Sequence, residues 1–198
     1  YIQNGTKRLV FKNNVVARAS SHGVQARPGG IVEDNFFVRN PLPILVGGGN
    51  HPEPEGVTGS VRGNVLIEGG DITATVRRAH GITITNVGSE GVTVADNIVM
   101  HDVSASPGGH GIMVKGEGDV GVNNVLVENN IIYDWRNSIR VDGEVALVED
   151  VIIRNNTLQL YHHIDMPAEI NDQRTLVRMK FDYGDEVDFS GNTYFSNA

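Results

Sequence analysis

Three histidines are each followed by glycine, at His22-Gly23, His80-Gly81 and His110-Gly111, and each pair opens a short run of alternating character. The runs are His22-Gly-Val-Gln-Ala-Arg27, His80-Gly-Ile-Thr-Ile-Thr85 and His110-Gly-Ile-Met-Val-Lys115. Pro43-Ile-Leu-Val-Gly47, Asn137-Ser-Ile-Arg-Val-Asp142 and, less regularly, Thr175-Leu-Val-Arg-Met-Lys180 have the same alternation. In an extended chain, alternate side chains share a face. Val24, Ala26, Ile44, Val46, Ile82, Ile84, Ile112, Val114, Ile139 and Val141 are therefore expected to point into a core. The other face carries two columns, one of Gln25, Leu45, Thr83, Met113, Arg140 and Arg178, the other of Arg27, Gly47, Thr85, Lys115, Asp142 and Lys180. Five of these are basic, in a chain with a formal net charge of −8.

Those residue types suit one kind of chemistry. Arginine grips a carboxylate through two parallel N–H bonds, and a desolvated lysine or histidine can accept a proton. Together they can neutralise a carboxylate and remove the proton on the carbon beside it. Lys115 and Arg140 are the candidate centre, on neighbouring runs and able to converge on one anionic group, with His110 as a further candidate base. Arg27, Arg178, Lys180 and His80 are candidates for binding along the same face. The alternative is a solvated face on which Lys, Arg and Asp keep a sheet soluble. The His-Gly histidines have an alternative too, as a stacked polar ladder at a bend; a metal held by His80 and His110 would lack an identifiable third ligand.

The elements that must carry these columns show up as a repeat. Two apolar residues spaced by two, an Asn, and another apolar residue recur around Asn14, Asn35, Asn64, Asn97, Asn130, Asn156 and Asn192. Positions −3 and +2 from each Asn are apolar all seven times. This is period two on both sides of a polar corner, which reads as strand, tight turn, strand. The Asn-to-Asn steps are 21, 29, 33, 33, 26 and 36 residues, so a short coil carries insertions of variable length. No helical period is visible, and Asn-Gly occurs only at Asn4-Gly5, which argues against a sandwich of hairpins. The expected fold is an all-β parallel solenoid of about seven coils, with an Asn ladder at one corner. The expected insertions are about Glu68 to Ala79, His101 to Gly109 and Tyr161 to Arg174, where they would wall a groove over the histidine-led sheet.

Composition narrows the rest. The 198 residues suit one domain, 1–198, with a continuous core. No cysteine is present, so disulfides, thiolate zinc sites and a catalytic thiol are excluded. The 16 basic against 24 acidic residues argue against a nucleic-acid binder, and no apolar run is long enough to span a bilayer. The chain opens at Tyr1 without a signal-like segment and is expected to be a piece of a longer protein, without its N-terminal cap.

Three strands per coil with a repeated Asn corner resemble the right-handed parallel β-helix of the pectate-lyase-like superfamily, over nearly the whole chain. The resemblance implies a secreted or periplasmic carbohydrate-active protein whose cleft lies over the histidine-led sheet. The expected reaction is β-elimination on an anionic, uronic-acid-containing polysaccharide. Gly109-His110-Gly111-Ile112 followed by Ser138-Ile139-Arg140-Val141 is similar to paired motifs of the polygalacturonase hydrolases. Asp142 stands where that family has Lys, and Asn86-Val87-Gly88-Ser89 lacks the expected carboxylate pair. Val24-Gln25-Ala26-Arg27-Pro28-Gly29, followed by Asn35-Phe36-Phe37, resembles a segment of the chondroitinase B and alginate lyase family. That likeness makes Arg27 the match to a catalytic Arg, puts the matching Lys near Gly5 to Lys7, and places acidic calcium ligands before Tyr1. Calcium is thus the one candidate cation, and the residues themselves imply no cofactor. Trp135 is a candidate for stacking on a sugar ring, with packing against the solenoid wall as its alternative. A hydrolase or epimerase on the same scaffold, or a non-catalytic adhesin or tailspike segment, are the competing functions. A monomer is expected for an enzyme and a trimer for a structural part.

Overall fold

The computed structural model describes residues 9–48, 55–69, 80–101, 109–117, 120–161 and 174–196. The tips of the expected insertions, and the Gly5 to Lys7 match, lie outside these ranges. Twenty strands fall into three all-parallel sheets. The first contains β1 (Val10–Lys12), β4 (Gly30–Glu33), β7 (Val57–Arg62), β10 (Val87–Ala95), β13 (Val122–Glu128), β16 (Val148–Arg154) and β19 (Val187–Ser190). The second contains β2 (Val15–Ala17), β5 (Phe36–Val38), β8 (Val65–Ile67), β11 (Ile98–Met100), β14 (Ile131–Tyr133), β17 (Thr157–Leu160) and β20 (Thr193–Ser196). The third contains β3 (His22–Ala26), β6 (Leu42–Val46), β9 (His80–Thr85), β12 (His110–Lys115), β15 (Asn137–Asp142) and β18 (Thr175–Met179). Every third strand pairs, so the chain winds as a parallel β-helix, with six three-strand coils and two strands of a seventh. Two short 3₁₀ turns, Val145–Leu147 and Gly184–Glu186, are the only helical segments among the described residues.

The corner between the first and second sheets is an Asn ladder of all seven expected residues. Each Asn Nδ2 donates to the Oδ1 of the Asn one coil on, at 2.9–3.1 Å from Asn14 to Asn192. The backbone N–H of the same Asn donates to that Oδ1 as well. The second Nδ2 hydrogen goes back to a carbonyl of the coil before, as from Asn97 to Val61 and from Asn130 to Val94. A buried amide thereby uses both hydrogens and both lone pairs. The residue before each Asn is left-handed: Asn13, Asp34, Gly63, Asp96, Asn129, Asn155 and Gly191 have φ between 50° and 65°. Only Asn, Asp and Gly occur there, the types that reach this conformation at least cost.

Inward positions form one continuous core. The residues three before and two after the central ladder Asn, such as Val61, Leu66, Val94, Val99, Val127 and Ile132, are fully buried. So are the expected inward residues of the third sheet, from Val24 to Val141. The glycine of each His-Gly pair is needed for packing at this layer. A Cβ on Gly111 would lie 2.5 Å from Ile132 Cγ2, and one on Gly81 would lie 2.5 Å from Val99 Cγ1.

The three outer faces differ in chemistry. On the first sheet one registered row runs Lys12, Glu33, Arg62, Ala95, Glu128 and Arg154, with Lys12–Glu33 paired at 2.6 Å and Arg154–Glu128 at 2.9 Å, and another holds Val10, Ile31, Ser60, Thr93, Leu126 and Ile152. The second sheet turns outward one registered row of Val15, Phe36, Val65, Ile98, Ile131, Thr157 and Thr193. A second row holds Ala17, Val38, Ile67, Met100, Tyr133, Gln159 and Phe195. The third sheet carries the basic columns.

The ladder makes a quantitative prediction. Asn97→Ala removes a central rung and leaves the Asn64 donors, the Val61 carbonyl and the Asn130 Oδ1 short of partners in a dry corner. The expected loss is about 3 kcal/mol or more. Asn192→Ala, at the half-buried last rung, should cost less than half as much. Urea midpoints of the two variants measure the difference, and equal losses would contradict the rung model.

Candidate functional site

The third sheet brings the expected columns together in register. Gln25 pairs with Leu45, Leu45 with Thr83, Thr83 with Met113, Met113 with Arg140, and Arg140 with Arg178. In the neighbouring column Thr85 pairs with Lys115 and Lys115 with Asp142, while the Lys180 N–H donates to Val141 O. The face is not simply solvated. Thr83, Thr85, Met113 and His110 are buried, and Arg140 and Asp142 are largely so.

Arg140 is the hub. Its Nη1 donates to His110 Nε2 at 3.0 Å, and its Nη2 donates to Asp142 Oδ2 at 2.6 Å. Lys180 Nζ reaches the other oxygen, Asp142 Oδ1, at 3.1 Å, and the Gly143 N–H donates to it at 2.9 Å. Within the chain itself, Lys115 and Arg140 do not share a carboxylate. Lys115 pairs with Glu117, and Lys180 is the residue that shares a carboxylate with Arg140. Burial pushes the Asp142 carboxyl up, but Lys180, Arg140 and the Gly143 N–H outweigh it and hold the group below its usual range. Alternation already put Asp142 on this face, in the column of Lys115 and Lys180, but did not show that Arg140 and Lys180 share its carboxylate.

The histidines are neutral. His80 and His110 stack with ring centroids 4.9 Å apart and planes at 19°, the polar ladder that the His-Gly repeat allowed. Burial, with Arg140 and Lys115 adding to it, pushes His80 down to about 4. Burial also lowers His110, to about 3, with His80, Arg140, Arg136 and Arg178 contributing. Because His110 Nε2 accepts from Arg140, its proton sits on Nδ1, which is buried without a partner. His22 is separated from this stack, since its register partner is Leu42.

The remaining site candidates divide. Arg178 is exposed beside Arg140 and makes no ion pair among the described residues. Arg27 lies at the other end of the face, donating to Gln25 Oε1 at 3.2 Å. Trp135 is fully buried, stacks on His101 at 4.7 Å and donates to Val99 O at 3.1 Å. It belongs to the core, so the sugar-stacking expectation is corrected to its packing alternative. Among the described residues, no three His, Asp or Glu side chains come together as a metal site.

One further signal was not read from the sequence. Among the described residues, nine buried side-chain N or O atoms lack a hydrogen-bond partner, and seven of them belong to β9, β12 and β15. They are His80 Nδ1, Thr83 Oγ1, Thr85 Oγ1, His110 Nδ1, Asn137 Oδ1, Ser138 Oγ and Arg140 Nε. Their alternation with core residues was the available clue, but strand parity does not say which polar atoms end up dry. No family model, curated protein or solved structure matches this chain.

Neutral buried histidines tie stability to pH. The unfolded chain takes up protons near the ordinary histidine value of 6.5, while the folded chain resists until about 4 at His80 and about 3 at His110. Stability should therefore fall as pH drops from 6.5 toward 4, by up to about 1.4 kcal/mol per pH unit for each histidine. Denaturation midpoints between pH 7 and 4.5 test this. The double variant His80→Gln/His110→Gln should flatten the slope, and an unchanged slope would remove the two histidines from it.

Proposed function

We propose that this chain is an exported, pectate-lyase-like carbohydrate-active protein that binds an anionic, uronic-acid-containing polysaccharide on the outer face of its third sheet and cleaves it by β-elimination. The supporting observation is the gathering of Arg140, Arg178 and Lys180 on one face of a chain with net charge −8, with His110 Nε2 at 3.0 Å from Arg140. Cations so grouped suit the carboxylates of an anionic polymer.

Elimination needs a cation on the carboxylate and a base at the adjacent carbon. Arg140 Nη1 and His110 Nε2 lie 3.0 Å apart, so cation and acceptor stand side by side. A substrate carboxylate that draws Arg140 toward itself frees the His110 lone pair and offsets the positive charge that depresses its basicity. The C–H proton then passes to His110, the pair it leaves forms the new double bond, and the β C–O bond breaks. Lys115, paired with Glu117, takes in this reading the role of protonating the leaving oxygen. Arg27, Arg178, Lys180 and His80 serve binding. Hydrolysis by a carboxylic acid fits less well, because Asp142 is held ionised between Arg140 and Lys180.

The test is incubation with a panel of uronate polymers, with and without calcium, following the ultraviolet absorbance of an unsaturated product. Arg140→Ala and His110→Gln should each lower the rate at least about 100-fold, with unchanged far-UV circular dichroism. Absence of an unsaturated product from every polymer would reject the lyase reading. Full activity in Arg140→Ala would remove that residue from the mechanism.

A further inference from the structure

Asp142 puts an acid among the very cations that an anionic ligand needs. Alternation turns it outward, yet its side chain is only 12% exposed and three donors fill its two oxygens. Arg140 Nη2 lies 2.6 Å from Oδ2, while Lys180 Nζ at 3.1 Å and the Gly143 N–H at 2.9 Å share Oδ1. The carboxyl is held below its usual range, so it is ionised at neutral pH. Arg178 stands apart from this cluster. It pairs in register with Arg140, is exposed, and makes no ion pair among the described residues.

We infer that Asp142 decides which anions this face accepts: its carboxylate fills the seat between Arg140 and Lys180 that a ligand carboxylate would take, so a small anion is refused and a chain of linked carboxylates is admitted. This selection rests on the anionic-ligand reading above and adds to it a rule for what binds. A lone carboxylate must displace a neighbour that is covalently fixed in place, and it meets that neighbour's negative charge at close range.

A polymer has another way in. One of its carboxylates lands on Arg178, and the tether then presents the next to Arg140 and Lys180 at an effective concentration on the order of millimolar. Lys180 is the cation able to change partners. It is half-exposed, and its ammonium already stands 5.2 Å from the Phe181 ring centroid, so it keeps one attraction while it leaves Asp142.

Calorimetric titration with two probes, sodium galacturonate and its linear hexamer, tests the selection. The unaltered chain should bind the hexamer at least about 100-fold more tightly than the monomer. Asp142→Asn keeps an acceptor for Arg140 and removes the charge, and should raise monomer affinity at least about tenfold. Asp142→Glu keeps the charge and should leave the monomer as weak as before. Arg178→Gln, at an exposed position, should lower hexamer affinity about fivefold with unchanged circular dichroism. In the unaltered chain, which needs no variant to fold, the Lys180 side-chain NMR signals should move with the hexamer and stay in place with the monomer at equal concentration. Equal monomer affinity in the unaltered chain and a folded Asp142→Asn would overturn the inference, as would Lys180 signals unmoved by a hexamer that binds; cleavage of a uronate polymer in either case would leave the lyase reading standing. A gain of monomer binding in Asp142→Asn, in a protein that cleaves no uronate polymer, would reject the lyase reading and keep the seat at Asp142. No binding of either probe by any of these chains overturns the inference as well.

Discussion

The structure depends on one hydrogen-bonded amide repeated seven times. At each turn from the first sheet to the second, the backbone must bend, and bending removes groups from the sheet ladders. The Asn side chain replaces what is lost, since its Oδ1 takes two N–H groups from the coil before and its Nδ2 serves a carbonyl behind and an amide ahead. A leucine there would leave the corner unsatisfied, and an aspartate could accept but not donate. The amide also fixes register. Because each coil is bonded to the next at the same corner, coils can differ in length by fifteen residues and still stack in phase, the surplus being extruded elsewhere.

Register at that corner is what gives the outer faces their meaning. With every coil in phase, side chains two residues apart become columns, and a column has a chemistry that a single residue lacks. On the first sheet one of these columns pairs opposite charges at Lys12–Glu33 and at Arg154–Glu128. On the second they are apolar. On the third, cations gather around Asp142 with two neutral histidines behind them. A slip of one residue would exchange these columns with the core, so the ladder protects the surface pattern as strongly as it protects the interior.

The fold was legible because it rests on period and repetition. The apolar residues at −3 and +2 and the Asn between them recur in every coil, and the structure puts them in the core and the ladder, fully in the central coils, partly at Phe11, Val16 and Phe189, and not at Tyr194, which is exposed. The left-handed residue before each Asn was equally visible, as a column restricted to Asn, Asp and Gly, but its signal lies in what is excluded. The site was half legible. Alternation correctly put Arg140, Lys115, Arg178 and Lys180 on one face, since parity decides direction. It could not assign partners, because a long cationic side chain can reach along its own strand or across to the next. Lys115 turned to Glu117, two residues on, and Lys180 crossed to Asp142. Trp135 was ambiguous for a different reason, since an indole suits a sugar or a core equally well until its depth is known.

The unsatisfied groups are spread unevenly over the solenoid. A buried donor or acceptor without a partner costs about 1–3 kcal/mol, and folding offers no general return for it. The ladder shows that this sequence is able to satisfy demanding buried amides one after another, so unsatisfied atoms are not a failing of the whole solenoid. Yet among the described residues three adjacent strands, β9, β12 and β15, keep seven of them. The neutral histidines point the same way. Burial and neighbouring cations suppress their protonation, which keeps the face from accumulating charge that nothing on the chain would balance. An arriving carboxylate would reverse both conditions, filling donors on Arg140 and easing the protonation of His110. The third sheet, where these groups and the cations around Asp142 meet, is therefore the face on which the proposed chemistry is to be tested.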